Sequence, residues 1–182
     1  RVLFRSSLVR QGLYGQLTLR RLFGTTTRVA NNPDAAGHPG TLPQILKSQG
    51  MDLFIFTRPR PNEKELPAGL FWWEGTDGTR ILANRPPLGY GYGTSGPGIA
   101  SDVHRLLARM NPTTKVLTVF VGAGDHGGGP TKALIQGVEA LRSVPGGPAV
   151  QWATPDRYLA AVEGLKDLKV PVVRDELQHH AV

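Results

Sequence analysis

Asp52-Leu53-Phe54-Ile55-Phe56 is a nearly continuous apolar run, closed by Pro59 and Pro61. An apolar run without polar alternation suits a strand covered on both faces, the kind found in parallel sheets flanked by helices. Lys115 to Val121 repeats the pattern. Thr26 to Ala30 and Val150 to Ala153 predict shorter strands, and Val170-Pro171-Val172-Val173 is the last candidate. Helix patterns fall between them. Ser6 and Ser7 can cap a helix whose Val9, Leu13 and Leu17 recur at i+4 and which ends near Gly24. Leu42 to Ser48 predicts a second helix, stopped by Gly50. Ser101 can cap a third, reaching about Met110, and a fourth runs from about Thr131 to Ser143. Thr154-Pro155 opens a fifth with its proline in the first turn. The alternation defines an α/β class with a largely parallel sheet, and it places Asp34 just beyond the carboxyl end of a strand.

One stretch interrupts the alternation. Leu70 to Glu74 and Thr79 to Ala83 flank Gly75-Thr76-Asp77-Gly78, and the Asp-Gly pair predicts a β-hairpin. We expect this hairpin as an insertion above the sheet.

Charge and composition narrow the function classes. The net charge is +7, and Arg1, Arg5, Arg10, Arg20, Arg21 and Arg28 all precede the first acid, Asp34. These arginines do not alternate with aromatics as they do in single-strand binders. A solvated helix face accounts for them, so neither a nucleic-acid nor a membrane partner is expected. No apolar run approaches the roughly 20 residues that span a bilayer. With 0 cysteines, any metal must be held by histidine and carboxylate. The ends, Arg1 and Gln178-His179-His180-Ala181-Val182, resemble neither a signal segment nor a capped terminus, and the chain is expected to be part of something longer.

Several motifs admit more than one reading. Gly122-Ala123-Gly124-Asp125-His126-Gly127 matches G-x-G-x-x-G between a predicted strand and helix, as a nucleotide site requires. Asp125, however, puts negative charge where a pyrophosphate would lie, and Pro130 removes an N–H from the helix start. A tight turn and a loop lining a polar site both remain open. Asp34 and His38 follow a predicted strand end, where α/β enzymes place catalytic groups, but Asn-Pro-Asp is also an ordinary turn. Phe71-Trp72-Trp73 can be core. Adjacent strand residues face opposite sides, though, so one indole can face a cleft. Asp175 and Glu176 after the last strand are either catalytic carboxylates or solvated ones.

Taken together, these stretches resemble the family 38 α-mannosidases through nearly the whole chain. Ser7-Leu8-Val9-Arg10-Gln11 with Leu13-Tyr14-Gly15-Gln16 looks like the helix preceding that family's nucleophile strand. Pro33-Asp34-Ala35-Ala36-Gly37-His38-Pro39-Gly40-Thr41-Leu42-Pro43-Gln44-Ile45-Leu46 is similar to the nucleophile signature. Phe71-Trp72-Trp73-Glu74-Gly75, Asp77-Gly78 and Gly124-Asp125-His126-Gly127-Gly128-Gly129-Pro130-Thr131 match further blocks in the same order.

The resemblance implies a retaining glycosidase that hydrolyses terminal α-mannosyl linkages of oligosaccharides or glycans. Its domain would be a (β/α) barrel-like catalytic one, of which residues 1–182 form an internal part cut at both ends. It implies that Asp34 is both nucleophile and zinc ligand, and that zinc binds sugar hydroxyls as template and Lewis acid. Glu176 aligns with the acid/base carboxylate. Arg58, Tyr90 and Tyr92 fall where substrate-contacting residues are expected, and Asp125 and His126 are expected on the same cleft.

The departures carry weight of their own. Ala36 replaces the family's aromatic residue two after the nucleophile, and Asn31-Asn32 stands where Trp-Asn is common. No histidine here is followed two residues later by Asp, so the family's His-x-Asp zinc pair is missing. The final zinc histidine is expected beyond Val182. Of the implied ligands Asp34 alone is present, so zinc belongs to the longer polypeptide and the chain by itself is expected to be inactive. The rival readings are a nucleotide- or nucleic-acid-binding α/β module built on the Gly122–Gly127 loop, and a catalytically dead carbohydrate-binding domain.

Overall fold

The computed structural model describes residues 2–89, 96–108, 115–123 and 127–178. In chain order its elements are α1 (Val2–Phe23), β1 (Val29–Asn32), β2 (Gly37–His38), α2 (Leu42–Ser48), β3 (Leu53–Phe56), β4 (Leu70–Glu74) and β5 (Arg80–Asn84). They continue with α3 (Gly96–Leu107), α4 (Lys132–Arg142), α5 (Pro155–Glu163), β6 (Val172–Val173) and β7 (Leu177–Gln178). The backbone divides into two units, residues 1–85 with 169–182, and residues 86–168.

The first unit is built on a five-stranded sheet of order β1-β3-β5-β4-β6. β3 runs parallel to both β1 and β5, and β6 runs parallel to β4; only β4 and β5 are antiparallel. All four residues of β3 are buried, as the unbroken apolar run requires. One face of the sheet carries Phe54, Phe56, Phe71, Trp73, Ile81 and Ala83, packed with Leu46, Met51, Val173 and Leu177. The Phe54 and Phe56 rings stack at 5.6 Å, and Phe71 meets Phe56 edge-on. Each large side chain buried in this way contributes roughly 1.5–3 kcal/mol relative to exposure. Among the described residues the sheet is open, with β1 and β6 at its edges.

The hairpin departs from expectation. Its two strands are not an insertion but occupy the middle of the sheet, with β5 hydrogen-bonded to β3 on one side and β4 on the other. Burial explains the placement: Phe71, Trp73, Ile81 and Ala83 are 0% exposed, a burden that only a central strand can satisfy. Trp73 is therefore core, and its neighbour Trp72 on the opposite face is half-buried.

α1 also differs. It begins at Val2, so Ser6 and Ser7 lie inside the helix instead of capping it. Val9, Leu13 and Leu17 are 41, 52 and 50% exposed, so this apolar row is not the docking face. The helix is tied down through amide chemistry instead. Gln16 donates to the Thr27 and Gln49 carbonyls at 2.7 and 3.0 Å and accepts from the Thr27 N–H. Gln49 in turn donates to the Leu8 carbonyl at 2.9 Å.

In the second unit α4 forms behind an N-cap at Thr131 and α5 behind one at Thr154 with Pro155 in its first turn, as expected, but α3 already begins at Gly96, so Ser101 lies inside that helix instead of capping it. The expected strands at 115–121 and 150–153 do not. Residues 116–121 are only half-buried. An apolar run becomes a strand only where a neighbour satisfies its backbone groups, and among the described residues none flanks this one. The glycine motif at 122–127 therefore lacks the preceding strand that a dinucleotide site needs.

Candidate functional site

The parallel register of β1 and β3 sets the first half of the site. Asn32 pairs with Phe56, so Asp34 and Arg58 each lie two residues past the same rung. They meet there: Arg58 Nε is 2.5 Å from Asp34 Oδ1, a charge-assisted bond. Arg58 Nη1 also lies 3.7 Å from Glu63 Oε1, and Glu63 Oε2 accepts the Arg60 N–H at 2.6 Å. Pro33, just before Asp34, accepts a hydrogen bond from the Thr57 hydroxyl.

His38 belongs beneath this pair. It is 1% exposed, its ring edge-on to Phe54 and Phe56 at 4.9 and 5.7 Å. Its Nε2 is 3.1 Å from the Arg58 carbonyl, and since a carbonyl only accepts, Nε2 carries the proton. Burial lowers the imidazole pKa to about 4, against a smaller upward pull from that carbonyl, so the ring is neutral at pH 7. His38 thus supports Arg58 from below and is not itself an exposed acid or base.

A short antiparallel ladder sets the second half. Gly37 pairs with Gln178 and His38 with Leu177, so the segment that carries Asp34 is bonded to the segment that carries Glu176. Asp175 is anchored twice, its carbonyl by Trp73 Nε1 at 2.9 Å and its carboxylate by Lys64 Nζ at 2.6 Å. Its Oδ1 accepts the Glu176 N–H at 2.7 Å. Glu176 opens onto a cleft of about 370 Å³ shared with Gly40, Glu74, Gly75, Thr76, Gly78, Arg174 and Asp175. Glu74 accepts from Arg174 at 2.5 Å and from Arg80 at 2.6 Å, and these bonds hold its carboxyl below the usual range. Gly75 approaches the Gly40 carbonyl so closely that a Cβ there would come within 3.2 Å of it.

The structure therefore brings Asp34 to Arg58 and places Glu176 on a cleft that neither of them lines. Tyr90, Tyr92, Asp125 and His126 lie outside the described residues, and so do His179 and His180. Sequence reasoning overlooked Lys64, Glu63, Glu74 and Arg85. Arg85 had a legible signal, because it is a cation directly after a buried strand.

Among the described residues no three histidine, aspartate or glutamate side chains converge to hold a metal ion. Asp34 Oδ1 is already engaged by a guanidinium. These residues do not by themselves make a zinc site, which needs about three protein ligands and an open position.

The fold is of the α/β class, with a carboxylate and an arginine paired beyond adjacent parallel strand ends, the edge at which folds of this class commonly carry ligands. Comparison with known proteins narrows this class. The model of the glycosyl hydrolases family 38 N-terminal domain matches residues 3–176, and the chain belongs to that family. It is 30% identical over 162 residues to alpha-mannosidase G of Dictyostelium discoideum, covering 86% of this chain and 14% of the relative. To the human alpha-mannosidase 2C1 it is 32% identical over 160 residues, covering 86% of this chain and 15% of the relative. The chain thus spans about one seventh of the length of these relatives. The crystal structure of an alpha-mannosidase from Enterococcus faecalis V583 superposes with a TM-score of 0.70 at 22% identity, over 95% of this chain and 20% of that one. That likeness supports the fold.

Proposed function

We propose that this chain supplies the nucleophile-bearing part of a retaining α-mannosidase that acts on terminal α-mannosyl linkages of oligosaccharides or glycans. The observation that carries the reading is the 2.5 Å Arg58–Asp34 pair past adjacent parallel strand ends. In the first step an Asp34 carboxylate oxygen attacks the anomeric carbon, the glycosidic C–O bond breaks, and the leaving oxygen takes a proton from the carboxyl of Glu176. In the second, Glu176 takes a proton from water, whose oxygen displaces Asp34 from the sugar. A retaining enzyme of this kind needs its carboxyls about 5–5.5 Å apart. Arg58 orients the nucleophile.

Tyr90, Tyr92, Asp125 and His126 complete the sugar contacts in this proposal. Zinc is a cofactor of the longer polypeptide, in a (β/α) barrel-like domain where Asp34 is one ligand and the others lie outside residues 1–182. On this reading the isolated chain neither binds zinc tightly nor turns over substrate. Zinc titration and a chromogenic aryl α-mannoside assay on the purified chain test it. Stoichiometric micromolar zinc binding, or turnover that Asp34→Asn abolishes, would show that the site is complete within these residues.

A further inference from the structure

We propose that Arg85 is a positioning residue that fixes the spacing between the two carboxylate arms, Asp34 on one side and Asp175–Glu176 on the other. Arg85 follows β5 directly and is 8% exposed. Its N–H donates to the Gly69 carbonyl at 2.7 Å, which sets the backbone. Its Nη1 then donates to two carbonyls of one loop, Pro59 at 3.1 Å and Lys64 at 2.8 Å.

Those two carbonyls flank the residues that reach the arms. Arg58, next to Pro59, grips Asp34 at 2.5 Å, while Lys64 grips Asp175 at 2.6 Å. The loop is thus a strut with one arm at each end, and Arg85 pins both ends to the same strand. Burying a guanidinium is costly, and an apolar side chain would fill the space at no such cost. What the guanidinium adds is a single Nη1 whose two N–H bonds lie fixed in the plane of a rigid head group and meet both carbonyls at once, whereas a lysine ammonium is a point charge on a flexible stem. His38 braces the same loop through the Arg58 carbonyl, which leaves the spacing, not the individual contacts, as the task of Arg85.

The catalytic meaning of this spacing rests on Asp34 and Glu176 being the paired carboxylates, but its test does not require activity. The probes are the Arg58 Nε–H and Lys64 ammonium NMR signals of the 182-residue chain, compared in wild type, Arg85→Met, Arg85→Lys and Arg80→Met, with circular dichroism reporting the fold. Losing a charge-assisted buried bond should speed water exchange of both signals roughly tenfold in the Arg85 variants, with the fold retained. Arg80→Met should leave both unchanged. Unchanged signals in a folded Arg85 variant would overturn the proposal, as would a change at one arm alone or an equal change in Arg80→Met. Unfolding of Arg85→Lys would overturn it too, since Arg85 would then hold the domain and not the spacing. Mannoside hydrolysis is assayed separately, so failure of the proposed function leaves this readout interpretable.

Discussion

The Nε2 of His38 lies 3.1 Å from the carbonyl of Arg58, whose guanidinium holds Asp34, so a buried neutral imidazole underpins the exposed ion pair. The consequence is a defined pH dependence. The folded pKa of about 4 lies below the ordinary histidine value of 6.5, so between those values the unfolded chain binds more protons. Stability therefore falls as pH drops from about 6.5 to about 4, by about 3 kcal/mol from this group, and no further below that. Urea unfolding of wild type and His38→Gln across pH 4–7 checks it. The difference between the two curves should slope in this window; parallel curves would refute the assignment.

Trp73 joins the core to the site, because its ring is fully buried and its Nε1 donates to the Asp175 carbonyl at 2.9 Å. Trp73→Ala should cost about 3–5 kcal/mol in chemical denaturation. Trp73→Phe keeps much of the packing but strands that carbonyl, and should cost about 1–3 kcal/mol. A loss near zero in Trp73→Phe would show that the hydrogen bond contributes nothing.

The β4–β5 turn depends on backbone chemistry that only certain residues permit. Gly78 sits at φ +83°, and Asp77 accepts from the Thr79 N–H at 3.0 Å and its hydroxyl at 2.8 Å. Gly78→Ala meets open space, so its cost of about 1–2 kcal/mol comes from the left-handed conformation alone. Gly78→Asn should lose less than Gly78→Ala, and an equal or larger loss would contradict this account.

In the second unit, the Thr131 hydroxyl accepts the Leu134 N–H at 3.2 Å and caps α4. Thr131→Ala should lower stability by about 1 kcal/mol and Thr131→Ser by much less, as read by thermal melting.

Local signals explain what was legible beforehand. The β3 run, the Thr154-Pro155 helix start and the Asp-Gly turn each depend on a few neighbouring residues, and each formed as expected. Placement in space was harder. The Leu70–Glu74 and Arg80–Asn84 strands read as a local hairpin, but nothing local says that β5 would pair in parallel with Leu53–Ile55. The Lys115–Val121 run has the composition of β3 without a partner strand among the described residues, so the same pattern had two outcomes. At the site, Asp34 was legible because it follows a strand, and Arg58 through the family resemblance. His38 was legible as important, but its role depends on two phenylalanines distant in sequence. Lys64 acts through a long-range ion pair, which leaves no motif, whereas Arg85 left the single cue of a cation directly after a buried strand.

The central claim is that Asp34 is the nucleophile of an α-mannosidase, and its most direct test is aryl α-mannoside hydrolysis by the longer polypeptide that carries residues 1–182. Wild type and Asp34→Asn are compared at matched folding. The account predicts turnover by wild type and a loss on the order of a thousandfold or more in Asp34→Asn, as for removal of a covalent nucleophile. Comparable turnover by the two proteins, or no α-mannoside hydrolysis by the folded wild type, would contradict it.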